Sequence, residues 1–174
     1  MEFNYKRILI IGCGGAGKST LARQLGKKLN LPVVHLDKIW WLPNWQNRTK
    51  EEFDILLKEE LTKPCWIIDG NYQRTFEQRL SFADFCIFLD YSTSLCIKSV
   101  HDRVKQFSGK SRPDMTEGCL EMVDSEFEDW IYNFQSDVKP KMMSVLQNSE
   151  VPFIVFNDRE STESWLNSFN IIEK

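Results

Sequence analysis

Residues 12–19 read Gly-Cys-Gly-Gly-Ala-Gly-Lys-Ser and fit the Walker A phosphate-loop pattern G-x-x-x-x-G-K-[ST] at every fixed position. The flanking residues constrain the fold. Lys6-Arg7-Ile8-Leu9-Ile10-Ile11 reads as a buried strand, and Ser19 to Asn30 reads as a helix with Leu21, Leu25 and Leu29 on one face. In that setting Gly12, Gly14, Gly15 and Gly17 let the backbone bend and turn its N–H groups inward. The helix that starts near Gly17 adds its N-terminal dipole. Ala16 and Thr20 complete the loop residues expected to touch a nucleotide. Lys18 is expected to reach the β- and γ-phosphates, and the Ser19 hydroxyl to ligate Mg²⁺. By average residue usage, the four fixed positions arise by accident in a chain this long on the order of one time in a hundred.

A chain of 174 residues suits one domain, expected over 1–174, with a sizeable core. At 42% hydrophobic and 27% charged it has the composition of an ordinary soluble protein. No apolar run approaches a membrane span, and Met1-Glu2-Phe3-Asn4-Tyr5 has no secretory signal pattern, so a cytoplasmic location is the expectation. A net charge of −3 argues against broad electrostatic binding to nucleic acid. Cys13, Cys65, Cys86, Cys96 and Cys119 form no C-x-x-C, and His35 and His101 make no metal-ligand spacing with them. Cys65 and Cys86 sit in apolar runs and read as buried thiols. Cys13, at a helix N-terminus, is expected to be partly exposed there. A small residue that fits the turn outweighs a redox role for it.

Apolar runs alternate with helical patterns. Short strands are expected at Val33–Leu36, Trp66–Asp69, Phe85–Asp90 and Val151–Phe156. Helices are expected over 51–61, 94–107, 120–138 and 160–169, with a further one beginning at Pro140. This β-α alternation implies a parallel sheet covered on both faces. Two stretches break the rhythm. Residues 38–50 hold Trp40, Trp41 and Trp45, and residues 108–119 form a polar connection of the kind often used as a lid.

The loop Gly12–Ser19, the strand end His35-Leu36-Asp37 and Ile67-Ile68-Asp69-Gly70 resemble the small-molecule kinases related to adenylate, shikimate and gluconate kinases. Asp69-Gly70-Asn71-Tyr72-Gln73-Arg74-Thr75 is similar in placement to the Asp-Gly-Phe-Pro-Arg-Thr segment of adenylate kinases, with Tyr72 at the proline and Arg74 one position later. Together with Trp41-x-Pro43-x-Trp45 and Arg112-Pro113-Asp114-Met115, these motifs look like the FlaR-type "DNA topology modulation" proteins. The resemblance implies a three-layer α/β/α P-loop NTPase fold with a five-stranded parallel sheet of order 2-3-1-4-5. It also implies a helical substrate insert near 38–63 and a lid near 105–120. Asn157 and Arg159, after the last strand, would lie beside the adenine. The family's pattern carries arginines around 135–139, where this chain has Gln135-Ser136-Asp137-Val138-Lys139, leaving fewer cations for a phosphorylated substrate.

Phosphoryl transfer depends on positioning and charge neutralisation. Asp69 ends a strand beside the loop strand, so it is expected to face the phosphate crevice and orient Mg²⁺ or its water. Asp37 ends the second strand and is expected to bind an acceptor hydroxyl as a general base, or, for a phosphate acceptor, to serve recognition. By strand alternation His35 points to the opposite sheet face. Asp90 reads as a helix cap. Arg103, Lys105, Lys110 and Arg112 cluster at the lid, with Arg103 and Arg112 expected over the transferred phosphoryl group. Arg74, Asn71 and Tyr72 are acceptor-site candidates. Trp41, with Trp40 and Trp45, either stacks a flat acceptor or packs the insert.

The leading expectation is an ATP- and Mg²⁺-dependent kinase acting on a small-molecule acceptor, a nucleotide or nucleoside among the candidates, as a monomer or homodimer. The alternative is a nucleotide-binding regulatory protein with a nucleic-acid-related role, against which the net charge weighs.

Overall fold

Each expected strand forms where a short apolar run lies between polar or glycine breaks. The computed structural model describes residues 3–169; Met1, Glu2 and residues 170–174 of the domain expected over 1–174 lie outside them. The chain opens with β1 (Arg7–Gly12), α1 (Lys18–Leu29), β2 (Val33–His35) and α2 (Leu36–Trp40). A short antiparallel ribbon, β3 (Trp41–Leu42) and β4 (Gln46–Asn47), leads to α3 (Lys50–Leu61) and β5 (Trp66–Asp69). Then follow α4 (Phe76–Phe82), β6 (Phe85–Leu89), α5 (Thr93–Gln106), α6 (Ser125–Asn133), α7 (Lys139–Gln147), β7 (Phe153–Phe156) and α8 (Arg159–Asn167).

The main sheet has five strands in the order β2-β5-β1-β6-β7, and every pair is parallel. Numbered by their own sequence order, its strands run 2-3-1-4-5, as the resemblance implies, within a three-layer α/β/α P-loop fold. Burial explains the composition of the strands. β5 and β6 are wholly buried, and β1 is buried from Ile8 onward. Edge strands β2 and β7 are largely half-buried. Central strands of such a sheet have helices on both faces and read as continuous apolar runs. Leu21 and Leu25 of α1 and Phe53, Leu57 and Leu61 of α3 supply the helical side of the core. Thr49 and Glu52 close α3 with a reciprocal capping box.

Several expectations need correction. Leu36 begins a helix instead of ending the second strand, so strand alternation stops at His35. The helix expected from Leu120 begins only at Ser125, where the Asp124 side chain accepts from the Phe127 N–H. After Asn133 the helix widens into a π turn over Phe134–Val138 before α7. Pro140 lies in the first turn of α7, and a proline ring there crowds the carbonyl four residues back, which a π turn relieves. Ser92, not Asp90, caps α5. Cys65 is half-buried, whereas Cys86 is fully buried.

The phosphate-loop candidate spans the gap between β1 and α1. Gly15 has φ 80°, and a Cβ there would lie 2.3 Å from the Cys96 carbonyl oxygen on α5. Both the left-handed backbone and the close approach demand glycine. Gly109 also has a positive φ, 69°, but open space around its missing Cβ. Gly15→Ala is therefore expected to cost on the order of 3 kcal/mol, against about 1 kcal/mol for Gly109→Ala. Urea denaturation of the two variants measures the difference; equal losses would remove the close approach from the account.

Candidate functional site

A cavity of about 540 Å³ opens where β1, β2 and β5 end. Its wall includes Gly14, Gly15, Gly17, Lys18, Ser19 and Thr20 from the loop and the start of α1. Asp37 reaches it from α2, and Asp69, Gly70, Asn71 and Tyr72 from the end of β5. Arg103 of α5, Arg112 and Asp114 of the 105–120 segment, Phe127 and Trp130 of α6, and Arg159 of α8 complete the enclosure. Position at the carboxyl ends of parallel strands is where open α/β sheets take ligands.

Lys18 folds back on its own loop, donating to the Gly12 carbonyl at 2.9 Å and the Cys13 carbonyl at 2.8 Å. Burial lowers its pKa against the pull of the nearby Cys13, Asp37 and Asp69. Gly12 and Ala16 lie behind the wall. The Asn71 amide holds Gly12, accepting from its N–H at 3.1 Å and donating to its carbonyl at 2.5 Å. Ala16 is buried and its N–H closes the turn onto the Cys13 carbonyl. Cys13 is buried rather than partly exposed, at 2%. Its thiol meets that of Cys96, and this hydrogen bond with burial pushes the Cys13 pKa up.

Asp37 is half-buried and accepts a 2.7 Å hydrogen bond from the Tyr72 hydroxyl. Desolvation raises its carboxyl above the usual range, although the Tyr72 bond and Arg112 oppose the rise. Asp69 is 3% exposed, and His35 Nδ1 lies 2.7 Å from its Oδ1. His35 thus shares the face of Asp69, contrary to the expected opposite face. The two residues are register partners on adjacent parallel strands, and such partners point the same way. Ser19 and Asp69 supply hard oxygen donors to one cavity beside Lys18, a set that fits Mg²⁺ held mainly by phosphates and water. Among the described residues, no cluster of three or more His, Cys, Asp or Glu could hold a metal ion alone.

The 105–120 segment lies against the 38–50 stretch. Thr116 donates to the Trp41 carbonyl at 2.6 Å, and the Asn44 N–H to the Gly118 carbonyl at 3.2 Å. Its arginines meet buried carboxylates. Glu121 pairs with Arg103 Nε at 2.6 Å and Arg112 Nε at 2.5 Å. Asp114 pairs with Arg112 Nη1 at 3.0 Å and Arg23 Nη1 at 3.2 Å. Burial works against an ionised Asp114, but Arg112 and Arg23 beside it hold its pKa below the ordinary value. The Arg103 Nε–Glu121 hydrogen bond fixes that guanidinium plane from behind, while Arg112 Nε meets Glu121 as an ion pair without a hydrogen bond.

Some expected site residues lie elsewhere. Arg74 makes a two-pronged pair with Asp54 of α3, at 2.9 and 2.6 Å, outside the cavity wall. Trp41 packs edge-on against Trp45 with ring centroids 5.2 Å apart, and it does not line the cavity. Asn157 is exposed and outside the wall, while Arg159 lines it and donates to Ser99 at 2.6 Å. Asp90 pairs with Lys139 at 2.6 Å.

Sequence reasoning missed Arg79, which is 0% exposed. Its guanidinium donates to the carbonyls of Gly70 at 2.9 Å, Tyr72 at 3.2 Å and Asn71. Burial pushes its pKa down to about 10. These bonds brace a segment in which Tyr72 holds a left-handed φ of 30°. Nothing in the local pattern of α4 marked Arg79, because its partners are backbone atoms. Trp130 and Phe127 read from sequence as a helix stripe; their place in the wall follows from α6 crossing the loop.

Because burial raises the folded-state pKa of Asp37, its ionisation costs stability above the unfolded-state pKa, and that cost disappears as pH falls. Asp37→Asn keeps an acceptor for Tyr72 and is expected to raise stability near pH 8 by about 1 kcal/mol, roughly 2–4 °C in Tm. The gain should shrink toward pH 4. Thermal melts across that range check it, and a gain independent of pH would refute the assignment.

No family model and no curated protein matches the sequence. Among solved structures, shikimate kinase from Acinetobacter baumannii in complex with shikimate aligns at TM-score 0.61 and 15% identity, over 95% of this chain and 90% of that one. A gluconokinase from Sinorhizobium meliloti aligns at TM-score 0.54 and 13% identity, over 93% and 87%. Deoxyadenosine kinase from M. mycoides with bound dATP aligns at TM-score 0.52 and 19% identity, over 92% and 97%. The FlaR-type resemblance gains no support from these comparisons. What they establish is the fold: this chain has the P-loop architecture found in these small-molecule kinases.

Proposed function

We propose that the protein is an ATP- and Mg²⁺-dependent phosphotransferase acting on a small-molecule acceptor. One observation carries the reading: the Lys18 loop, the desolvated Asp37 and the lid arginines all line a single cavity. The fold's occurrence in shikimate, gluconate and deoxyadenosine kinases supports the reaction class without naming the acceptor.

In this reading the N–H groups of 14–20 cradle the phosphates and Lys18 swings from its loop carbonyls to the β,γ-bridge region. Ser19 and Asp69 hold Mg²⁺ directly or through water, and the ion, when bound, neutralises charge on the transferred group. His35 fixes the Asp69 carboxylate from its Nδ1 side. Asp37 takes the acceptor proton, a role its raised pKa suits. Arg103 and Arg112 use the nitrogens not bound to Glu121 to follow the charge, and Arg159 lies on the nucleotide side. The whole chain acts as one unit, with 38–63 on the acceptor side and 105–120 as the lid.

A nucleic-acid role would need a basic outer face. The lid arginines instead face the cavity and meet Asp114 and Glu121.

The test is ADP formation from Mg·ATP across hydroxylated metabolites, nucleosides and nucleotides. Lys18→Ala should abolish turnover. Asp37→Asn should lower kcat by at least ~100-fold while leaving the KM for ATP little changed. Absence of turnover with every acceptor, with Mg·ATP bound normally, would count against the proposal.

A further inference from the structure

We infer that the acceptor is an uncharged hydroxyl compound with a flat ring, of the nucleoside class, and not a phosphorylated or carboxylated one. The inference deepens the phosphotransferase reading and rests on it.

The first ground is the placement of charge. Asp37 Oδ1 is held by Tyr72, and Asp37 Oδ2 has no hydrogen-bond partner among the described residues. That oxygen can accept from a hydroxyl, whereas an anion brought to it meets a second negative charge. An anionic acceptor needs a compensating cation, and the nearby arginines are either engaged or, as with the free nitrogens of Arg103 and Arg112 in the phosphotransferase reading, committed to the transferred phosphoryl group. Arg112, whose charge acts on Asp37, is held between Asp114 and Glu121 and is 10% exposed. Arg79 is bound to three carbonyls and Arg74 is paired with Asp54 outside the cavity. Of the remaining cations in the wall, Lys18 belongs to the loop, Arg159 lies on the nucleotide side in the same reading, and Arg23 and Arg103 are carboxylate-paired.

The second ground is the aromatic wall. Phe127 and Trp130 both line the cavity and lie nearly parallel, with an interplanar angle of 8° and centroids 6.0 Å apart. Phe127 is seated on the loop, since a Cβ on Gly14 would lie 2.6 Å from its Cζ. Aromatic faces bind neutral flat rings regardless of hydrogen-bond pattern. In the reaction the acceptor oxygen forms a bond to the γ-phosphorus, the bond from that phosphorus to the β,γ-bridging oxygen breaks, ADP leaves, and the hydroxyl proton passes to Asp37.

The experiment uses the full chain with Mg·ATP and matched pairs: adenosine and AMP, guanosine and GMP, cytidine and CMP, thymidine and TMP. ADP release is followed for each, and tryptophan fluorescence is titrated with the same compounds beside a non-hydrolysable ATP analogue. A nucleoside should exceed its own monophosphate at least ~100-fold in kcat/KM. Trp130→Ala should raise the nucleoside KM at least ~10-fold with the KM for ATP unchanged, and Trp130→Phe should restore most of it. Preference for the monophosphate, parity within the pairs, or an acceptor KM indifferent to Trp130→Ala would overturn the inference. If no compound is phosphorylated but nucleosides quench fluorescence at lower concentration than monophosphates, the recognition stands and the phosphotransferase reading falls. If neither turnover nor quenching occurs with any pair, the inference is wrong.

Discussion

The buried guanidinium of Arg79 holds the two ends of the cavity in register. It binds three successive carbonyls after β5, and those residues reach in opposite directions. The Asn71 side chain clamps both backbone groups of Gly12, where the loop leaves β1. The Tyr72 hydroxyl holds Asp37 on α2. One desolvated cation therefore sets the spacing between the phosphate loop and the carboxylate opposite it. A buried charge is tolerated only when it is well hydrogen-bonded, and removing it would leave several buried acceptors without donors, each costing about 1–3 kcal/mol. Positioning of reacting groups to within fractions of an ångström needs this kind of rigid support behind them.

The second network is electrostatic and lies over the cavity. Arg23, Arg103 and Arg112 alternate with Asp114 and Glu121, so three cations share two carboxylates. Isolated surface pairs contribute little, but here Glu121 is 2% exposed and Asp114 is 8% exposed. The carboxylates keep the arginines from repelling one another while the segment lies against the 38–50 stretch. In the proposed reading they leave both terminal nitrogens of Arg103 and Nη2 of Arg112 as the groups that turn toward the transferred phosphoryl group.

The core of the fold was legible because its signals are local. A run of four to six apolar residues between breaks specifies a buried strand, and the loop motif fixes what connects β1 to α1. The lining of the cavity was legible where a residue sits at a strand end, as with Asp69. It was less so where short-range structure intervened. Asp37 reaches the cavity that Asp69 also lines, but from a five-residue helix too short to show a period, not from a strand. Residues 120–124 carry a helix-like composition, yet Asp124 caps the helix and holds its start at Ser125. His35 was misdirected although residues two apart on a strand share a face; its register with Asp69 on the neighbouring strand turns its side chain to the cavity side. Arg74 and Arg79 show the same limit: at sequence level they are two arginines five positions apart, and tertiary burial separates a surface ion pair from an internal brace.

Phe127 occupies the space where any side chain at position 14 would begin. Helix α6 and the loop therefore share one van der Waals boundary, and neither can be redrawn alone. A loop that shifts to receive phosphates must carry the aromatic wall with it or separate from it. In the proposed reading, a ligand that settles against that wall and prefers one loop position would bias the loop for phosphates in return, through a contact that neither ligand makes.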